Sequence, residues 1–297
     1  MTMRALVTGH KGFLGRHFAA ELARRGYGVT GLDILDGPSG DCRTLFASPG
    51  TRDRFDLVVH CAAVVGGRAR IDGSPLSTAV NLELDSAMFR WASLVHPGRV
   101  LYLSSSAAYP VEMQCNLMSM PLLRENWLNP AEGTSGTPDR VYGWSKVVGE
   151  VLAGELRLHG VPVTVVRPFS GYGADQNDCY PFPAFTARAR KRADPFTVWG
   201  DGSQVRDFIH VDDVVAGALA VAEDGTDQPV NLCTGTGTSF DQLAGMVTGA
   251  AGYLPELRHL DDAPTGVRHR VGDPGRMLRY YTPKVSLEDG IRRALTE

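Results

Sequence analysis

The stretch that most constrains the fold is Val7-Thr8-Gly9-His10-Lys11-Gly12-Phe13-Leu14-Gly15. The short apolar run before it, 3–7, reads as a strand. After it, 16–25 reads as a helix with Leu14, Phe18 and Leu22 on one stripe, and Gly26 suits its C-terminal cap. A strand, a glycine loop and a helix in that order make an anion site. The first N–H groups of a helix lack partners and carry partial positive charge. The glycines permit a tight turn, close backbone approach to a pyrophosphate, and close packing of helix on strand. A second strand, 28–32, ends in Asp33, where a carboxylate can accept hydrogen bonds from an adenosine ribose. A dinucleotide site is therefore expected at Gly9, Lys11, Gly12, Phe13, Leu14, Gly15 and Asp33.

Composition narrows the alternatives. A chain of 297 residues can bury a large core and forms one large or two modest domains. With 43% hydrophobic and 21% charged residues it has the make-up of a soluble globular protein. A net charge of −3 gives no basis for a nucleic-acid or membrane partner. No apolar run approaches the roughly 20 residues of a membrane-spanning helix. Cys42, Cys61, Cys115, Cys179 and Cys233 lack metal-like spacing, so free thiols and no metal are expected. The N-terminus enters a strand directly, with no signal-peptide pattern, and a cytoplasmic location is expected.

Further along, strands and helices alternate. A strand at 55–59 leads into His60-Cys61-Ala62-Ala63. A helix at 75–95 carries Val80, Leu84, Ala87 and Trp91 on one side. A strand at 99–103 ends in Ser104-Ser105-Ser106, and a helix at 141–158 precedes a strand at 161–167. Asp41-Cys42-Arg43 reads as the remnant of a short third strand. The alternation predicts an α/β fold: a Rossmann-type doubly wound parallel sheet over 1–170, with a smaller C-terminal substrate-binding domain over 171–297. The segment 204–212 is expected to return a strand to the main body. Ligands of such sheets sit beyond the carboxyl ends of the strands. The glycine loop, the His60 segment and the serine triplet all fall there. Small residues at Cys61, Ala62 and Ala63 suit a cofactor passing near the backbone, and simple close packing accounts for them equally. The connection over 109–140 has the length of a lid or binding loop.

Tyr142 and Lys146 are four apart, so on a helix they share a face. A free tyrosine has a pKa of about 10, and bringing such a group to about 7 takes roughly 4 kcal/mol. An ammonium about 4 Å away at an effective dielectric of 20 supplies roughly that much. The pair can therefore make a phenolate base that accepts a hydroxyl proton while hydride leaves for a nicotinamide.

With these residues in view, the sequence resembles the extended short-chain dehydrogenase/reductase family, the group of nucleotide-sugar epimerases and dehydratases. The resemblance rests on Thr8 to Gly15, Asp33, His60-Cys61-Ala62-Ala63, Ser104-Ser105-Ser106-Ala107-Ala108-Tyr109, Tyr142 with Lys146, Arg167-Pro168-Phe169, and the run from Gly200 to Asp213. It implies bound NAD, reduced and reoxidised within one turnover. It also implies a nucleotide-diphosphate sugar oxidised at C4, and a homodimer formed through a helix pair that includes the Tyr142 helix. Counting four back from Tyr109 assigns the catalytic hydroxyl to Ser105, beside Tyr142 and Lys146. Arg206 matches the arginine that grips the substrate diphosphate. Asp41, Cys42, Cys61, Ala62 and Ala63 are assigned with Tyr142 and Lys146 to the cofactor. Ser105, Ser106, Ser170, Cys179 and Arg268 are assigned to the substrate.

The departures from the family pattern matter as much. Dehydratases carry an acid just after the catalytic hydroxyl, where this chain has Ser106 and Ala107. The 3,5-epimerases place a cysteine at the Ala107 position. Ser170 replaces the usual Asn after Arg-Pro-Phe. Cys179 takes the place of a second acid/base and is read as shaping the sugar pocket. Val64-Val65-Gly66-Gly67 and Tyr109-Pro110 look like those of GDP-sugar epimerases. The expected activity is UDP- or GDP-sugar 4-epimerisation. The alternative is a UDP-glucuronate decarboxylase giving a pentose nucleotide or its 4-keto form, which the missing glutamate after Ser105 opposes. A remote alternative is an NAD-sensing binding protein without catalysis, which the intact Ser105, Tyr142 and Lys146 oppose.

Overall fold

The computed structural model describes residues 2–48, 54–74, 76, 79–115, 120–130 and 136–296. Its first unit is β1 (Arg4–Thr8), α1 (Phe13–Arg24) and β2 (Gly28–Leu32). The helix starts at Phe13, three residues before the expected 16, because Gly12 is already its N-cap. It buries Gly15, Phe18 and Leu22, and Gly26 follows at φ 85°. A helix, not a strand, follows at α2 (Cys42–Phe46). The expectation of a strand remnant at 41–43 fails because the Asp41 carboxylate accepts from the Arg43 N–H and caps a helical turn.

Then come β3 (Leu57–His60), α3 (Arg68–Gly73), α4 (Val80–Val95) and β4 (Val100–Leu103). The expected start of the helix at 75, with 77–78, lies outside the described residues. Leu84 and Trp91 are buried as expected, but Val80 is exposed. The buried face of α4 runs instead through Asn81, Leu84, Asp85, Met88 and Ala92. The long connection carries 3-10 turns at Ser106–Ala108, Val111–Gln114 and Glu125–Trp127. Its parts at 116–119 and 131–135 lie outside the described residues.

α5 (Arg140–Leu158) and β5 (Val163–Pro168) follow, then β6 (Ser170–Tyr172), α6 (Pro181–Arg190), β7 (Phe196–Trp199), β8 (Val205–Arg206) and β9 (Phe208–His210). The chain ends with α7 (Val211–Asp224), β10 (Val230–Leu232), β11 (Thr238–Ser239), α8 (Phe240–Ala250), β12 (Leu257–Leu260), β13 (His269–Arg270) and α9 (Leu287–Thr296).

The main sheet is six-stranded in the order β10-β5-β4-β3-β1-β2, and every pairing in it is parallel. One face packs α1 and α7 through Phe18, Leu22, Val214 and Ala218. The other packs α2, α4 and α5 through Phe46, Met88, Trp91 and Ala153. This is the expected doubly wound α/β fold. Order reverses between β1 and β3, which opens a crevice at their carboxyl ends.

The returning strand is not the expected 204–212. Val230–Leu232 joins β5 in the main sheet, whereas Val205–Arg206 pairs with β11 and β13, and Phe208–His210 pairs with β6. A third core, around Phe182, Phe185, Phe196 and Leu243, holds the smaller C-terminal sheets together.

Candidate active site

The glycine loop is built to receive a phosphate. Gly9 stands at φ 67°, and a Cβ there would come within 2.8 Å of the Ala62 backbone. A Cβ on Gly15 would lie 2.0 Å from Gly9 O, so only glycine lets α1 pack against the loop. On Gly12 a Cβ would meet only Gly9 O, at 3.1 Å, leaving that side of the loop open. No side chain caps the N-terminus of α1, so its first N–H groups are available to a pyrophosphate. Asp33 closes the far side. Its carboxylate accepts from Lys11 N at 3.1 Å and from Leu35 N at 3.0 Å. These features fit a dinucleotide along Gly9 to Leu14 with its ribose at Asp33. Asp41 and Cys42 have their side chains engaged elsewhere: Asp41 on Arg43, and Cys42 in the core.

The catalytic candidates converge at the carboxyl end of β4. Ser105 accepts from Ala107 N at 3.1 Å and starts the 3-10 turn. That turn packs directly on the first turn of α5. A Cβ on Gly143 would lie 2.4 Å from Ala107 O, so the glycine beside Tyr142 permits the approach. Asp139 N donates to the same Ala107 O at 2.9 Å. Lys146 is buried, with Nζ 6.0 Å from the centre of the Tyr142 ring and 5.1 Å from that of Tyr102. Cys61 lies near Lys146. Burial pushes its thiol up to about 12 against the opposing pull of the ammonium, so it stays protonated and unreactive at neutral pH. Beneath the turn, Arg167 and Glu150 form a fully buried ion pair, and Ser104 donates to Glu150. Arg167 also holds the backbone of the connection at Glu125 and Leu128.

An arginine cluster adjoins this. Asp139 receives Arg68 at 2.7 Å and Arg270 at 2.8 Å, while Asp72 receives Arg68 at 2.7 Å and Arg140 at 3.3 Å. Among the described residues, Arg206 donates only to the carbonyls of Val205 and Thr265. Burial and the neighbouring Arg270 push it down to about 9. Arg68, Arg140 and Arg270 thus pair with two aspartates and Arg206 lies beside them, a surplus of positive charge that suits an anion. Arg68, Arg270 and Asp139 were not singled out from the sequence. Asp139 just before the Tyr142 helix was the available signal. Arg268, which was singled out, is half exposed and lies 3.6 Å from Asp201. Ser170 is held in β6, with its N–H on Asp207 O. Ser106 is buried. Cys179 is exposed, and its carbonyl lies against Gly67, joining the two segments.

A parallel doubly wound sheet with a glycine loop, an acid at the end of the second strand and a Tyr–Lys pair on one helix defines a dehydrogenase/reductase of the extended short-chain type. The model of the NAD dependent epimerase/dehydratase family matches residues 5–233, and the chain belongs to that family. It is an enzyme whose cofactor is NAD. A dTDP-4-dehydro-6-deoxy-D-allose reductase from a Streptomyces species is 30% identical, covering 92% of this chain and 88% of the relative. GDP-L-fucose synthase of Escherichia coli K12 is 27% identical over 97% and 94%. The crystal structure of a Thermotoga maritima UDP-glucose 4-epimerase with UDP-glucose superposes with a TM-score of 0.83, at 25% identity over 99% and 98%.

Proposed function

We propose that the enzyme changes the oxidation state at C4 of a nucleotide-diphosphate sugar, most directly as a UDP- or GDP-sugar 4-epimerase. The observation that carries this reading is Lys146 facing Tyr142 on α5, with the Ser105 turn packed against the start of that helix. NAD, held along Gly9 to Leu14 and at Asp33, would supply the hydride acceptor and donor for this chemistry. Tyr142 takes the C4 hydroxyl proton, and the Lys146 ammonium stabilises negative charge on the phenolate oxygen. Ser105 holds the same hydroxyl. Arg206, with Arg270 near it, takes the diphosphate, whose charge offsets the arginine surplus. Neither Ser106 nor Ala107 offers the acid that elimination needs.

A second reading is net reduction of a 4-keto nucleotide sugar, which the 30% identity to a dTDP-4-keto-sugar reductase favours. Loss of carbon dioxide from UDP-glucuronate remains the third. Two copies would pair through α4 and α5, where Trp144, Val148, Val151 and Leu158 form an exposed apolar stripe at helical spacing.

The test is to incubate the NAD-loaded protein with UDP- and GDP-sugars, including UDP-glucuronate, and to read products by NMR and mass. The 4-epimer without net NADH supports the leading reading. Carbon dioxide release, or reduction of a 4-keto sugar at the expense of added reduced cofactor, replaces it. Tyr142→Phe should abolish hydride transfer and leave NAD binding intact; near-normal turnover would remove Tyr142 from its role.

A further inference from the structure

On the buried face of α4, between Asn81 and Met88, stands Asp85, with 2% of its surface exposed. Beside it on that face stand the apolar Leu84, Met88 and Phe89. Burying a carboxylate costs far more than burying a leucine, so its partners have to compensate for it. Tyr102 of β4 donates to Oδ2 at 2.6 Å. His60 Nε2, at the end of β3, approaches Oδ1 at 3.2 Å. On the other side of His60, Nδ1 lies 2.8 Å from Thr8 Oγ1. Ala62 N–H already donates to that oxygen. The threonine proton is then free for Nδ1, which places the ring proton on Nε2, close to Asp85 Oδ1 but not aligned for a hydrogen bond with it. Every partner therefore points positive charge at the carboxylate.

The chain of contacts leads to Lys146. Its Nζ stands 5.1 Å over the ring of Tyr102, the same tyrosine that donates to Asp85. Gly149, three residues further along α5, makes this possible: a Cβ there would lie 1.8 Å from the Tyr102 hydroxyl. Burial acts to raise the Asp85 carboxyl, but the Lys146 ammonium and His60 outweigh it and hold it below its usual range. Burial and Asp85 push the Tyr102 phenol well above its free value, so it remains a donor. The ionisable groups around Lys146 are Cys61 just after β3, Asp85 from α4, Tyr102 from β4 and Tyr142 on its own helix. Glu150 acts on Tyr102 and Arg270 on Tyr142.

We propose that Asp85 is the buried counter-charge of Lys146, a positioning residue that holds the ammonium and partly cancels its field at Tyr142. It touches neither substrate nor cofactor. This rests on reading Tyr142 and Lys146 as the hydride-transfer pair.

Asp85→Asn keeps the size of the side chain and the bond from Tyr102 while removing the charge. The readout is tyrosinate absorbance against pH, taken as the difference between each protein and the same protein carrying Tyr142→Phe. One charge removed at about 10 Å, at an effective dielectric of 20, should move the Tyr142-dependent transition about one pH unit lower. Asp85→Glu should restore it. A transition that stays in place or moves higher would overturn the proposal. If Asp85→Asn does not fold, carboxyl 13C NMR of Asp85 provides the reciprocal measurement. In Lys146→Met its titration should move up by a similar amount, and an unchanged titration would overturn the proposal. If the unsubstituted protein shows no tyrosinate transition that Tyr142→Phe removes, the Tyr–Lys reading itself fails and this inference falls with it.

Discussion

Asp33 should decide which nicotinamide cofactor binds, and its replacement by Asn isolates the charge. The carboxylate is nine-tenths buried and held by the N–H groups of Lys11 and Leu35, so it cannot turn away from a ligand. A 2′-phosphate on the bound ribose would stand about 5 Å from it. At an effective dielectric of 20 the repulsion is roughly 3 kcal/mol per unit charge. The phosphate carries close to two charges, and solvent screening of about half of the total leaves about 3 kcal/mol. Lys11 offers no relief, because its ammonium is paired with Asp36, which His10 also approaches at 3.6 Å. Asp33→Asn should therefore tighten NADP binding by on the order of 100-fold. NAD binding should weaken only several-fold, through the loss of charge-assisted bonds to the ribose. Titration of both cofactors by calorimetry at two salt concentrations checks this, and the gain should shrink at high salt. A ratio of NAD to NADP affinity within about threefold of the unsubstituted protein would refute the argument.

Other outcomes follow from particular contacts. Arg206→Met should weaken UDP or GDP binding at least ~30-fold in calorimetry, because it removes a half-buried charge from the proposed diphosphate site. Asp139 is held below its usual range: burial opposes this, and Arg270 and Arg68 outweigh it. Its stabilisation is therefore complete above the unfolded carboxylate pKa of about 3.9 and is lost as pH falls through the lowered folded value. Asp139→Asn should flatten that part of an acid-unfolding curve followed by circular dichroism. Gly149→Ala should lower the melting temperature by several degrees, the overpacking costing about 1–3 kcal/mol, since the new methyl collides with the Tyr102 hydroxyl.

The sequence was most readable where the signal is local. The glycine loop, Asp33 and the Tyr142–Lys146 spacing each declare themselves within a few residues, and the alternating strands and helices give the doubly wound sheet. What was misread depended on contacts far apart in the chain. Val230–Leu232 is only three residues long, and only β5, more than sixty residues earlier, identifies it as part of the main sheet. Residues 205–210 carry a stronger strand pattern but pair with small sheets. At 41–43 a single capping carboxylate turned an extended reading into a helix. The arginine cluster joins residues from 68 to 270, a convergence that no spacing reveals. Asp85 did leave a trace: it is a charge at the interior spacing of α4, four residues after Asn81 and three before Met88.

The late return of β10 bears on how such enzymes can be recombined. A gene fragment ending at residue 170 would encode five of the six main strands. It would lack α7, whose Val214, Val215 and Ala218 cover one face of the sheet. β5 would become a raw edge, open to pairing with other chains. Tyr109 would lose Asn231, its hydroxyl's acceptor in the buried Arg167 network beneath the serine turn. The cofactor half and the substrate half are therefore interlaced, and swapping either as a cassette between relatives requires carrying 208–232 with the first half.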